Sequence, residues 1–369
     1  MDLLIGDDTY MKKFFTNKSN FGYLAGIVLG IGLVRLNLGL FIILGGIASV
    51  AIFFILSIIA HELGHLIFGK LTGYKFSSFR LGSFAWYKED NRIRFKLSKN
   101  FAAGQCLMKP VESFKDFKFV LYNLGGVIAN FILALLLSGL AVLQMPTDGM
   151  SHLFIFFIAG AGINLYFFIV NLLPIKSLGN DGANIREALK SNDAARGLYT
   201  IFYVNAKLAD GNTMQDFDDS LFEIEGNEKV KNYLEAYLLL YKTAKLEERG
   251  EYDALIECHN RIDITNLPNP VKYAVKADSL YYYSFYTPNH DKARELFADA
   301  DVQKFLKTGL LGTARIAAAY AFFVEDNPAK AHTLLKQAKK ITQSFPNKGQ
   351  RLGEEATIQK LEEVITTSA

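Results

Sequence analysis

The sequence predicts a polytopic α-helical membrane protein, with about four transmembrane helices followed by an all-α domain of helical hairpins. Three observations carry that prediction. Residues 21–60 are forty positions with a single charge, Arg35. Two further uncharged runs, VLYNLGGVIANFILALLLSGLAVL at 120–143 and HLFIFFIAGAGINLYFFIVNLLPI at 152–175, each have the length of a span. From about residue 183 the long apolar runs stop, and charged, helix-forming sequence takes over.

The charges divide the chain at the same place. Up to Asn180 there are 16 Lys and Arg against 9 Asp and Glu, a net of +7; from Asp181 onward 24 face 28, a net of −4. The overall +3 gives no reason to expect a nucleic-acid partner. Cys106 and Cys258 stand far apart without a partner motif and read as free thiols of a reducing compartment. The first twenty residues, MDLLIGDDTYMKKFFTNKSN, place acidic residues before the lysines, and no small-residue cleavage site follows. Residues 1–20 are therefore expected to form a retained cytosolic tail.

One helix over 21–60 would reach roughly 60 Å, about twice the hydrocarbon thickness. The run is expected to fold back near RLN, giving spans at about 21–38 and 42–66; the runs at 120–143 and 152–175 are the third and fourth. Basic residues set the orientation. Lys12, Lys13 and Lys18 precede the first span, and Lys70, Lys75, Arg80, Lys88, Arg92, Arg94, Lys96, Lys99 and Lys109 follow the second. The other two loops are short, with Arg35 near one and Asp148 in the other. Both termini and the 67–115 segment are thus expected on the cytosolic side of a multi-pass cell-membrane protein.

Between the second and third spans, YKFSSFRLGSFAWYKEDNRIRFKLS alternates on either side of KEDN, which predicts a surface β-hairpin region at about 74–100. Two uses fit it: a structural rim, or an exposed strand edge that pairs with an extended peptide. In the C-terminal half three stretches look related, beginning at Gly250, Asn289 and Asn327. Each places an alanine four residues on, at Ala254, Ala293 and Ala331, with spacings of 39 and 38. The pattern predicts a tetratricopeptide-like array of helix pairs over 183–369, a surface suited to a cytosolic protein partner.

The chemistry lies in SIIAHELGHLIFGKLTG, residues 57–73. HELGH sets His61 and His65 four residues apart on one helical face, with Glu62 beside the first. Two neutral imidazoles can bind Zn²⁺, and the carboxylate can take a proton from water. Ionisable groups in a span are costly unless paired or bound to a metal. A catalytic zinc takes three protein ligands and one open position. Asp181, in NLLPIKSLGNDGANI, is the candidate third ligand: Pro174 ends the preceding helix, and Gly179 and Gly182 permit a turn. Its plainer use is as a cap for the helix that begins there.

With these residues in place the chain resembles the site-2 protease-type intramembrane zinc metalloproteases, the M50 peptidase family, over about residues 20–185. His61, Glu62 and His65 match that family's H-E-x-x-H; Asn171, Pro174, Asp181 and Gly182 match its later N-x-x-P…D-G segment. GGVIAN, ending at Asn130, resembles its glycine–asparagine element. This chain reads LGNDG where the family usually reads L-D-G, so Leu178 stands two residues further from Asp181. The resemblance implies an intramembrane metalloprotease core over 21–182, with Zn²⁺ held by His61, His65 and Asp181 and Glu62 as general base. It implies regulated intramembrane proteolysis, the substrate being a membrane-inserted protein or hydrophobic peptide precursor cut near the cytosolic face. Asn130 and Asn171 either steady the substrate backbone and the developing oxyanion or hydrogen-bond between helices. The competing reading is a catalytically silent scaffold that recruits a partner through the helical array; a scaffold has no use for Glu62.

Overall fold

The computed structural model describes residues 40–368, apart from 90–91, 148–150, 177–178 and 346. The tail at 1–20 and the expected first span at about 21–38 lie outside the described residues. The other three expected spans are the helices α1 (Leu40–Leu71), α2 (Phe119–Leu143) and α3 (His152–Leu172). Among the described residues these three are long and apolar enough to cross a membrane, at mean hydropathies of 2.6, 2.4 and 2.3.

The 32 residues of α1 reach roughly 48 Å, longer than a hydrocarbon core of about 30 Å. One stripe at four-residue spacing is buried: Ser49, Phe53, Ser57, His61 and His65. Ile47, Ile55, Leu63 and Ile67 on the other sides are exposed, as lipid-facing residues are in a structure without lipid. The helix runs past the expected end at 66, because nothing in HELGHLIFGKL opposes helical backbone. It stops before Gly73, whose φ of +89° is a left-handed turn. Conversely, α3 ends at Leu172 rather than 175, since Pro174 cannot continue it.

After α1 the chain forms one antiparallel hairpin, β1 (Lys75–Glu89) with β2 (Arg92–Lys109), longer than the 74–100 expected. Lys75 lies opposite Lys109 and Trp86 opposite Phe95. Register shifts around Phe76, Arg80 and Gly82 mark irregularities of the kind that bend a ribbon. Beyond them Phe84, Trp86 and Phe95 stack on one face, with ring centroids 5.5–6.4 Å apart.

The remainder is helical: α4 (Asp181–Ala188), α5 (Asn192–Ala209), α6 (Tyr233–Arg249), α7 (Tyr252–Asn260), α8 (Asn269–Tyr281) running into a π-helical turn at Tyr282–Tyr286, α9 (His290–Ala298), α10 (Ala300–Leu306), α11 (Thr313–Phe323), α12 (Pro328–Ser344) and α13 (Lys348–Ser368). Local signals place the ends. Ser191, Asn232, Asn289 and Asn327 cap helix N-termini with their side chains, and Gly250 ends α6 in the left-handed region. Most consecutive helices pack as neighbours. They range from 7 to 21 residues, however, and the three alanines of the proposed repeat are not equivalent. Ala293 and Ala331 are fully buried, whereas Ala254 is exposed. The region is all-α, but a tetratricopeptide pattern is not shown.

The chain divides into two compact units, one of the chain up to Ser57 with Phe131–Tyr166, the other of Ile58–Asn130 with Phe167–Ala369. In the first, Phe53, Leu137 and Ala161 form the core, and the Phe53 ring lies 4.8 Å from that of Phe156. In the second, the larger interior runs from Tyr74, Met108 and Tyr122 to Leu361 and Ile365, and a smaller one gathers Val204, Leu208, Met214, Phe217 and Phe222. Fully buried Leu234, Leu238, Leu239 and Leu361 contribute about 1.5–3 kcal/mol each. Exposed pairs such as Lys339–Glu362 add about 0–1 kcal/mol, so packing rather than charge holds this unit together.

Candidate metal centre

His61 and His65 stand one turn apart on α1, both buried, with Glu62 buried between them. Asp181 is the first residue of α4, where a carboxylate is favoured by the exposed amides of a helix start. The fold brings the four together within the second unit. His61 Nε2 is 3.2 Å from His65 Nε2. Asp181 Oδ2 is 3.1 Å from the first and 3.4 Å from the second. Three ligand atoms on a tetrahedral zinc at 2.0–2.1 Å would be about 3.3 Å apart, so the triangle has the size of one face of that polyhedron.

The chemistry of the donors agrees with the geometry. His61 Nδ1 lies 2.8 Å from Asn130 Oδ1, and His65 Nδ1 lies 2.9 Å from the Tyr122 carbonyl. Both partners are acceptors, so each imidazole donates from Nδ1 and turns the lone pair of Nε2 toward the cluster. Asp181 Oδ2 is buried and faces the two Nε2 atoms. Burial alone would raise that carboxyl; the neighbouring His65 and His61 outweigh burial and hold the group below the usual carboxylate range. A divalent cation among the three atoms satisfies the same demand without a protonated imidazole. The residues present therefore fit a metal ion.

Three features of α2 explain GGVIAN. Gly125 meets Gly64 of α1 backbone to backbone: a Cβ on Gly64 would lie 2.3 Å from the Gly125 carbonyl oxygen. Next to it, Gly126 lies against the His61 ring, where a Cβ would come within 2.6–2.7 Å of Cε1, Nδ1 and Nε2. One turn on, fully buried Asn130 takes the His61 Nδ1–H. Replacing Asn130 with alanine is expected to lower metal affinity by about 10–100-fold, measured by competition with a chromophoric chelator. Unchanged affinity would remove Asn130 from the support of His61.

Glu62 faces β2. A Cβ on Gly104 would lie 2.8 Å from Glu62 Oε1 and 2.5 Å from Ile58 Cγ2, so the strand passes directly over the carboxylate. Tyr122 fixes it there, donating from Oη to the Cys106 carbonyl at 2.9 Å. Asn171, by contrast, donates from Nδ2 to the Phe167 carbonyl of its own helix at 3.0 Å.

Two supports were not singled out from the sequence. Tyr122 acts through a backbone carbonyl, which no side-chain pattern reveals. Asn180, within LGNDG, uses its whole carboxamide. Nδ2 donates to the Val170 and Leu173 carbonyls at the end of α3. Oδ1 accepts from the amides of Ile175 and Ala183, the latter capping α4. With Gly179 at a φ of +59° making the turn, Asn180 fastens the longer connection and presents Asp181. An asparagine one residue before the ligand was the available signal.

No curated protein and no solved structure matches the chain. Residues 49–151, which hold His61, Glu62, His65 and Asn130 and stop before Asp181, match the family model described as Peptidase family M50, and over that stretch the chain is similar to this family.

Proposed function

We propose that the chain is an intramembrane zinc metalloprotease of the site-2 protease type, cutting a membrane-inserted protein or hydrophobic peptide precursor near the cytosolic face. The observation that carries this reading is the triangle of His61 Nε2, His65 Nε2 and Asp181 Oδ2, with Glu62 beside it at one end of a membrane-length helix. The similarity to Peptidase family M50 supports it. A bound zinc ion would polarise the scissile carbonyl and lower the pKa of water. Glu62 removes the proton from the attacking water and returns it to the leaving amine nitrogen. Asn130 and the Tyr122 carbonyl keep both imidazoles aimed. Asn130 and Asn171 are the candidates for steadying the substrate backbone, although each already makes a hydrogen bond, Asn130 to His61 and Asn171 within its own helix.

The strand over Glu62 suggests how the substrate is presented. A helical peptide bond is already hydrogen-bonded and poorly exposed, whereas an extended segment paired with the hairpin edge offers its carbonyl to the site. The lysines and arginines that follow α1 support a cytosolic hairpin and helical domain in this reading.

The test maps new peptide termini in membrane fractions of cells expressing the protein, with purified protein assayed in parallel for metal content. One zinc per chain and a membrane-proximal cleavage abolished by chelation and restored by Zn²⁺ are expected. Cleavage indifferent to chelation would overturn the metalloprotease reading. Absence of both metal and cleavage would favour the scaffold.

A further inference from the structure

The helical domain touches the ligands' supports at two separate places. The first is α4. Asp181 opens this helix, and one turn on, Asn184 Oδ1 accepts a hydrogen bond from Tyr233 Oη at 2.6 Å. Tyr233 is the first residue of α6 and is buried. Its neighbour Asn232 caps α6 and donates from Nδ2 to the Glu187 carbonyl near the far end of α4. An eight-residue helix is too short to hold itself in water; its direction is set by what it is fastened to, and one fastening is α6. Burial first, then Glu187 and, further down, Asp181, raises the Tyr233 phenol well above its usual value, so it remains a donor.

The second place is Tyr122, whose carbonyl receives His65 Nδ1–H. The Tyr122 ring meets Phe202 of α5 edge-on at 5.2 Å. Around it Phe117 lies against both Phe202 and Tyr199 of α5, and Tyr199 Oη donates to the Glu112 carbonyl at 2.7 Å. The segment leading into α2 is thus seated on α5.

We propose that the C-terminal helical domain is the outer support of the metal centre, with Tyr233 positioning Asp181 through Asn184 and Phe202 positioning His65 through Tyr122. The proposal rests on the metal reading above. It gives the domain a role in the site itself, whatever partner it also recruits. Tyr233 and Phe202 are positioning residues: neither is a ligand, and each acts through one intermediary.

The test is metal affinity in the full-length protein, read by competition for Zn²⁺ with a chromophoric chelator, beside thermal unfolding of the same samples. Tyr233→Phe keeps the buried ring and removes only Oη. It is expected to weaken zinc binding by about tenfold, the lower end for outer-shell changes, and Phe202→Leu is expected to do the same. Tyr241→Phe is the control: it loses a comparable bond, from Asn205 at 3.2 Å, between α5 and α6. If Tyr241→Phe weakens zinc binding as much as Tyr233→Phe, the effect is general loosening and the proposal falls. It also falls if Tyr233→Phe and Phe202→Leu bind zinc as tightly as the parent. A parent that binds no zinc overturns the metal reading and this proposal together, which separates the two failures.

Discussion

Glu62→Gln is expected to abolish cleavage while leaving the metal in place. The side chain keeps its length and one oxygen, so the packing under Gly104 is undisturbed, and none of the three ligand atoms is altered. What disappears is a group able to accept a proton from water and pass it to the departing amine. General acid–base catalysis contributes about 10²–10⁴-fold, so the rate should drop by at least that range, below detection in most peptide assays. The measurement pairs cleavage rate with zinc content on one preparation. A variant that cuts at the parent's rate would remove Glu62 from the chemistry. A variant that loses its zinc would show that the carboxylate serves assembly of the site instead.

The second large effect needs only one methyl group. Gly126→Ala places a carbon where the His61 ring now lies, against three of its atoms at once. Alanine favours helix over glycine by about 1 kcal/mol, so α2 itself should gain. Any loss must then come from the ring, which has to swing away from both Asn130 and the cluster. Zinc affinity should fall at least as far as for a lost outer-shell partner, about 10–100-fold, with cleavage falling in step. Gly139→Ala on the same helix is the comparison, because among the described residues nothing lies within 4 Å of its added carbon. Equal zinc affinity in the two variants would mean that the ring contact does not constrain His61.

The parts legible in the sequence were those written in local spacing. A histidine pair four residues apart, with a glutamate beside the first, in an uncharged run can hardly be read otherwise, and the structure buries all three. Long apolar runs located α1, α2 and α3, and Pro174 and Gly73 account for where two of the helices stop. Asn130 was visible as a polar group in a span, but its partner could not be read, because the pairing between α1 and α2 depends on how Gly64 and Gly125 meet. The same limit applies to Asn180. Its four hydrogen bonds join α3 to α4 across a turn whose shape no short motif specifies. The C-terminal repeat went the other way: three alanines at similar spacing suggested equivalence, and burial distinguishes Ala254 from the other two.

The order of the ligands along the chain has a consequence for biosynthesis. His61 and His65 leave the ribosome early, with the helix that carries them, whereas Asp181 arrives only after α2 and α3. Its helix lacks the Asn184 anchor until Tyr233 has been translated and α6 has formed. A nascent chain therefore carries two histidines and no finished cation site while its neighbours in the bilayer are still being inserted. On the proposed reading, proteolytic competence is acquired only after the C-terminal helical region has been synthesised, and a half-made chain cannot yet cut.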